Sequence, residues 1–369
     1  MKTDDRSAPP DEREPKGSRR LTHHPRRSAR EILTHLAEAT DPDIEQDMYG
    51  AGEVVARLER RVSDLLGKEA AVLMPSGTMA QQIALRIWCD RAGLSQVAFH
   101  PTCHLQLHEQ DAYRRIHGLS ATLLGRSDRL FTLDDLEAMP EPVAAILFEL
   151  PQREIGGWLP PWDDLVAMTS WAHDRSVVAH MDGARLWESQ PFYGRTYADI
   201  AGLFDSVYVS FYKILGGIDG AALAGPQDLI DNARVWLRRH GGNLAHMYPL
   251  AISADLGLDK HLDRMREYHD RAVAIAAILS SLPGISVTPN PPHTNMMHVF
   301  IEGDRERLRA AHRQLIEEAD VELLGWLEET GVPGVTKSEF TIGSAAGDFA
   351  DAEVRDLFQR LLELAGAPV

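Results

Sequence analysis

The chain of 369 residues carries 38 Lys+Arg against 55 Asp+Glu, a formal charge of −17, with 44% hydrophobic and 25% charged residues. That length allows a large core and two domains, and the acidic balance argues against nucleic acid or an anionic membrane as the main partner, since both favour a basic face. Two cysteines, Cys89 and Cys103, supply no disulfide framework and point to a reducing cytoplasm, and no run approaches the roughly 18 apolar residues of a membrane span.

Residues 1–30, "MKTDDRSAPPDEREPKGSRRLTHHPRRSAR", are rich in Pro, Arg, Ser and charge and nearly free of large apolar side chains. This composition predicts a disordered tail, or an arm that orders on a partner. No apolar stretch follows Arg19-Arg20 or Arg26-Arg27, so neither pair reads as an export signal. "REILTHLAEAT" is a short helix. "AGEVVARLERRVSDLLG" is a longer one, with Val54, Leu58, Val62 and Leu65 on one face and Gly67 as its C-cap. "EAAVLMPSG" reads as a buried strand ending in a glycine turn, and "TMAQQIALRIWCDRAG" as a helix on which Ile83, Ala84 and Ile87 share a face. Further apolar runs follow at "QVAFH", "ATLLG", "VAAILFEL", "SVVAHMDGA" and "DSVYVSFYK", with helical stretches such as "DDLVAMTSWAHDR" between several of them. Alternating strands and helices predict a mainly parallel sheet covered on both faces, over residues 31–250. Beyond 250 the pattern changes to a long helix ("LDKHLDRMREYHDRAVAIAAILSSL"), shorter strands ("NMMHVFIEG", "SEFTIGSAA") and a last helix ("DAEVRDLFQRLLELA"), which predicts a smaller α+β domain over 251–369.

Open parallel sheets bind ligands beyond the carboxyl ends of their strands. The unusual residues fall at such ends: Ser76-Gly77-Thr78, His104, Asp182 with Arg185, and Lys213. The "PSGT" turn offers backbone N–H groups and two hydroxyls as an anion cradle, although a plain helix cap by Ser76 or Thr78 explains it as simply. Asp182 in "HMDGAR" ends a buried run, where a carboxylate needs a cationic or donor partner. That partner is either Arg185, as an internal ion pair, or a protonated ring nitrogen of a cofactor. Lys213 in "DSVYVSFYKILGG" stands at the end of an apolar strand, where desolvation lowers the amine's pKa and makes it a nucleophile toward carbonyls. Pyridoxal phosphate needs this set: a Schiff-base lysine, a carboxylate for its ring nitrogen and a phosphate turn. His104 is the candidate to cover the ring face. As a rival, His100, Cys103, His104 and His108 could ligate a metal. No HExxH occurs, however, and a metal accounts for neither Lys213 nor the phosphate turn.

These residues resemble the threonine aldolase / β-eliminating lyase group of fold-type-I pyridoxal-phosphate enzymes over most of 48–300. The resemblance rests on "MYGAGEVVARLERRVSDLLGKEAAVLMPSGTMAQ", "HLQLHEQDA", "ELPQREIGGWLP", "HMDGARLWE", "SFYKILGG", "RHGGN" and "TNMMHVFI", in family order and spacing. It implies a large cofactor-binding domain with a mainly parallel sheet and a small C-terminal α+β domain. It further implies Lys213 as the Schiff-base lysine, Asp182 as partner of the ring nitrogen, and His104 stacked on the ring. Arg185 would approach the cofactor hydroxyl or the substrate, and Ser76, Gly77 and Thr78 would hold the phosphate. Arg238 stands where the family often has a basic residue reaching a neighbouring subunit's phosphate, so a homo-oligomer, dimer or tetramer, with interfacial sites is implied.

The substrate side departs from the family pattern. Its Asp-Leu-Arg-Ser-Asp-Thr-like opening segment has no clear counterpart in "RRSAREILTHLAEATDPDIEQ", and the histidine often found in the loop after the central strand gives way to Arg153 and Glu154. Near the family's carboxylate-gripping arginine this chain has Lys337, Ser338 and Glu339. Lys337 or Arg153 is then expected to take the substrate carboxylate. The implied reaction is Cα–Cβ cleavage of a β-hydroxy-α-amino acid to glycine and an aldehyde. The altered carboxylate grip leaves open another reaction on the same cofactor: β-elimination, racemisation, transamination or aldol addition.

Overall fold

The computed structural model describes residues 16–140 and 142–366. The chain divides into two compact units. One spans Ser28–Met265, and the other combines the described residues up to Arg27 with those from Arg266.

The chain opens, among the described residues, with a two-residue strand, β1 (Arg19–Arg20), which belongs to the second unit. The first unit is built on a seven-stranded sheet of β2 (Ala70–Met74), β3 (Gln96–Phe99), β4 (Ser120–Leu123), β5 (Ala145–Glu149), β6 (Val178–Gly183), β7 (Ser206–Ser210) and β8 (Ala221–Gly225). Its spatial order is β2-β8-β7-β6-β5-β3-β4. All strands run parallel except β8, which is antiparallel to both β2 and β7. The central strands β5, β6 and β7 are buried almost throughout, as their continuous apolar runs require. The helix Glu53–Leu66 buries Val54, Val55, Leu58, Val62 and Leu66 and ends at Gly67 with a left-handed C-cap; Leu66, rather than Leu65, completes the apolar face. The helix Gly77–Ala92 packs Ala80, Ile83, Ala84 and Ile87 with Val72, Met74 and Leu223 of the sheet.

Register places the site. Glu149 of β5 lies opposite Asp182 of β6, and Asp182 lies opposite Tyr208 of β7. Glu149 and Asp182 thus stand side by side at the carboxyl ends of β5 and β6, with Tyr208 of mid-β7 abreast of them, and Lys213 follows just past the end of β7.

The second unit contains β9 (Ile285–Thr288), β10 (Met296–Glu302), β11 (Val321–Glu322), β12 (Leu327–Glu329) and β13 (Val335–Thr341). The antiparallel sheet β12-β13-β10-β9 packs with helices Met265–Ser280, Arg305–Ala319 and Asp351–Ala365 around Val299, Ile301, Leu308, Phe340 and Phe358. β1 pairs in parallel with β11.

The boundaries differ from those read in the sequence. Residues 1–15 of the expected arm lie outside the described residues. Residues 16–27 are built into the second unit: Leu21 is fully buried in its core, Arg19 pairs with Glu353 at 2.7 Å and Arg26 with Glu322 at 2.6 Å. Backbone pairing and ion pairs order a segment that has almost no apolar surface of its own. At the other boundary, the helix Tyr248–His261 stays in the first unit, and a 3₁₀ turn at Leu262–Arg264 separates it from the helix Met265–Ser280. The single long helix expected there is therefore two.

Candidate active site

A recess at the carboxyl end of the central strands is lined by His104, His108, Glu149, Leu150, Pro151, Arg153, Glu154, Asp182, Ala184, Arg185 and Lys213. Each arrives on a segment that the sheet holds in place. Asp182, 2% exposed, ends β6, and its Oδ1 accepts the Ala184 N–H at 3.1 Å. Two bonds tie this turn to the end of β7: Ser210 Oγ donates to the Ala184 carbonyl at 2.9 Å, and Trp187 Nε1 donates to the Ser210 carbonyl at 3.0 Å. Phe211 is fully buried and anchors the next turn, its carbonyl accepting from Gly217 N at 2.9 Å. Tyr212 follows, and Lys213 then enters the recess.

The Lys213 ammonium is the perturbed group. Burial first, then the Arg185 guanidinium, bring its pKa down from 10.5 to about 8, while Asp182 and Glu149 act in the opposite sense. At neutral pH a useful fraction of the amine is therefore unprotonated. Glu149 moves the other way. Burial and the adjacent Asp182 push it up to about 8. Its carboxyl binds two backbone segments, accepting His104 N–H at 3.1 Å and Arg153 N–H at 3.1 Å.

His104 opens a short helix, His104–Leu107, and its Nδ1 donates to Glu109 Oε1 at 3.0 Å. Glu109 is itself buried and accepts from Gln82 Nε2 at 2.9 Å, so the imidazole's orientation is fixed from the helix Gly77–Ala92. The N-terminus of that helix is the "PSGT" turn. Ser76 caps it, its Oγ accepting Met79 N–H at 3.3 Å, so the capping explanation holds for this residue. The turn is close-packed on the site: a Cβ at Gly77 would lie 1.9 Å from Tyr208 Oη, a contact only glycine permits. Tyr208 in turn hydrogen-bonds Tyr212, next to Lys213. These contacts place Ser76-Gly77-Thr78 beside the strand-end groups without making them part of the recess wall.

Other expected residues lie elsewhere. Arg238 is exposed near the end of the helix Gln227–Arg239 and lines a separate hollow with Tyr49, Glu59, Arg234 and Asn243. Lys337 belongs to the second unit, on β13, and pairs with Glu328 at 3.0 Å. The potential metal ligands do not converge. His100 bonds Thr102 and the Arg129 carbonyl, Cys103 is fully buried, and His104 and His108 bond different carboxylates. Among the described residues no group of His, Cys, Asp or Glu is arranged to hold a metal ion. Glu149 and the Glu109–Gln82 support went unnoticed in the sequence. An acid closing the apolar run "VAAILFEL" carries the same signal as Asp182 and could have been read by the same reasoning.

The sheet, the strand-end recess and its buried lysine define a member of the pyridoxal-phosphate fold-type-I class. The chain belongs to the β-eliminating lyase family, whose model matches residues 28–303. A protein of Listeria monocytogenes assigned as an L-allo-threonine aldolase has a crystal structure that superposes with a TM-score of 0.91; it is 40% identical and the match covers 95% of this chain and 97% of that one. An Exiguobacterium protein, assigned as an aromatic amino acid β-eliminating lyase/threonine aldolase, is also 40% identical, with a TM-score of 0.90 over 95% and 98% of the two chains. The low-specificity L-threonine aldolase 1 of Arabidopsis thaliana is 28% identical over 76% of this chain and 81% of its own length.

Proposed function

We propose that this chain is a pyridoxal-phosphate-dependent lyase that cleaves the Cα–Cβ bond of a β-hydroxy-α-amino acid to glycine and an aldehyde. The observation that carries this reading is the Lys213 amine, with its pKa near 8, in one recess with Asp182, His104, Arg153 and Arg185. The names of the relatives point to the same reaction.

The donor set suits pyridoxal phosphate. An amine that is partly neutral at pH 7 can condense with the cofactor aldehyde, and the buried Asp182 carboxylate needs the cationic partner that the ring nitrogen supplies. Bound there, the cofactor supplies an electron sink for the pair released from the Cα–Cβ bond. Asp182 keeps the proton on the ring nitrogen. His104, steadied by Glu109, covers the ring face. The Ser76–Thr78 turn and the N-terminus of the helix Gly77–Ala92 take the phosphate charge. Arg153 and Arg185 grip the substrate carboxylate, because guanidinium groups bind it bidentately. Lys337 lacks that planar fork and has the weaker claim on it. The grip would also set the reaction, since the way these guanidinium groups hold the carboxylate would orient the bonds at Cα.

The active form is a homo-oligomer in the cytoplasm. Arg238, exposed and outside the recess of its own subunit, is available to a neighbour's phosphate. A different outcome on the same cofactor, such as β-elimination or racemisation, is the second reading. It is favoured by the sequence resemblance, which puts Glu339 near the position of a carboxylate-binding arginine. Incubating cofactor-loaded protein with a panel of β-hydroxy-α-amino acids, and assaying glycine and aldehyde, separates the two. Equimolar glycine and aldehyde are expected. Turnover of amino acids without aldehyde would overturn the lyase reading in favour of the second.

A further inference from the structure

Breaking a Cα–Cβ bond beside a hydroxyl requires a base that accepts the hydroxyl proton as the carbonyl forms. The recess offers few groups able to do this. Arg153 and Arg185 stay protonated. Glu149 spends both carboxyl oxygens on the backbone N–H groups of His104 and Arg153 and so serves as framework. Asp182 and Lys213 would serve the cofactor in the reading above, and His104, held by Glu109, would flank it.

One pair is left. His108 follows the short helix His104–Leu107 and lines the same recess, its ring centroid 5.2 Å from that of His104. Its Nε2 lies 2.9 Å from Glu154 Oε1. Glu154, whose side chain is 8% exposed, comes from a different segment, the 3₁₀ turn Arg153–Ile155 beyond β5. Two loops thus bring an imidazole and a largely desolvated carboxylate together on one wall of the recess. This arrangement fixes the tautomer and orientation of the imidazole.

We propose that His108, oriented by Glu154, is the base that takes the β-hydroxyl proton of the substrate. This deepens the lyase reading and rests on it. With Nε2–H donated to Glu154, Nδ1 is the basic atom of the ring. The O–H pair becomes the new C=O bond, the Cα–Cβ bond breaks, and its electron pair stays with Cα. The proton moves to His108 Nδ1, while Nε2–H stays bound to Glu154 Oε1, which Arg153 Nη1 also approaches at 3.4 Å. Cα takes up one proton as glycine forms, so the step needs no oxidant, reductant or outside acid.

The test uses cofactor-loaded full-length protein with His108→Asn, His108→Gln and Glu154→Gln. Threonine cleavage is followed beside two readouts that need no β-hydroxyl base: the visible absorbance on titration with glycine, and exchange of the glycine α-proton with deuterated water. The His108 variants are expected to keep the absorbance response and the exchange within a few-fold, and to lose about 10²–10⁴ in kcat for threonine with KM little changed. Glu154→Gln is expected to lose less, on the order of tenfold. Threonine cleavage within a few-fold of wild type in both His108 variants overturns the assignment. So does parallel loss of cleavage and glycine exchange, which would assign His108 to the framework or to Cα. A wild-type protein that exchanges glycine but cleaves no β-hydroxy-α-amino acid overturns the lyase reading itself, and that result is read on the wild type before any variant is compared.

Discussion

Replacing Lys213 by methionine in cofactor-free protein should raise stability at neutral pH. The amine is held at about 8 rather than 10.5, mainly by burial and by Arg185, so the folded state binds this proton more weakly than the unfolded chain does. The penalty is fully present below the folded pKa, shrinks as pH rises through 8, and vanishes above 10.5, where both states are neutral. At roughly 1.36 kcal/mol for each pH unit between the two values, it amounts to about 3 kcal/mol at pH 7. Methionine matches lysine in length and carries no charge, so packing losses should stay under about 1.5 kcal/mol. Urea unfolding of both proteins, followed from pH 7 to 10.5, gives the difference directly. The wild type should gain stability relative to Lys213→Met by about 3 kcal/mol across that range. Parallel curves would refute the reasoning, because they would mean the folded state does not disfavour the Lys213 charge.

Asp182→Asn removes one charge-assisted hydrogen bond, worth about 1.5–3 kcal/mol, and so should lower kcat by roughly 10- to 150-fold while the cofactor stays attached; the absorbance spectrum and steady-state kinetics check both halves. Gly77→Ala drives a Cβ to 1.9 Å from Tyr208 Oη and 2.3 Å from its Cζ. Tyr208 is only 3% exposed and cannot swing aside, so the variant should lose about 1–3 kcal/mol in urea unfolding, with partial recovery in Gly77→Ala/Tyr208→Leu.

The parallel sheet was legible from its continuous apolar runs, and the polar residues that close them, Ser76, Asp182 and Lys213, marked where the strands end. β8 was missed, since "AALAG" has neither β-branched nor aromatic residues and is held as a strand by its neighbours β2 and β7. The Pro- and Arg-rich start misled for a related reason. Its order comes from pairing with Val321–Glu322, a partner roughly 300 residues away that no local pattern reveals. The aromatic pair before Lys213 has a structural account: Phe211 is a fully buried anchor, and Tyr212 hydrogen-bonds Tyr208 of β7. His108 stood out in the sequence only as a potential metal ligand. Its pairing with Glu154 depends on two loops meeting, which spacing alone cannot show.

The central claim is that Lys213 carries the cofactor. Borohydride reduction of the cofactor-loaded protein, followed by proteolysis and mass spectrometry, tests it most directly. The account expects the phosphopyridoxyl group on the peptide containing Lys213 and no labelling in Lys213→Ala. A label fixed on another lysine, or retained in the variant, would contradict it.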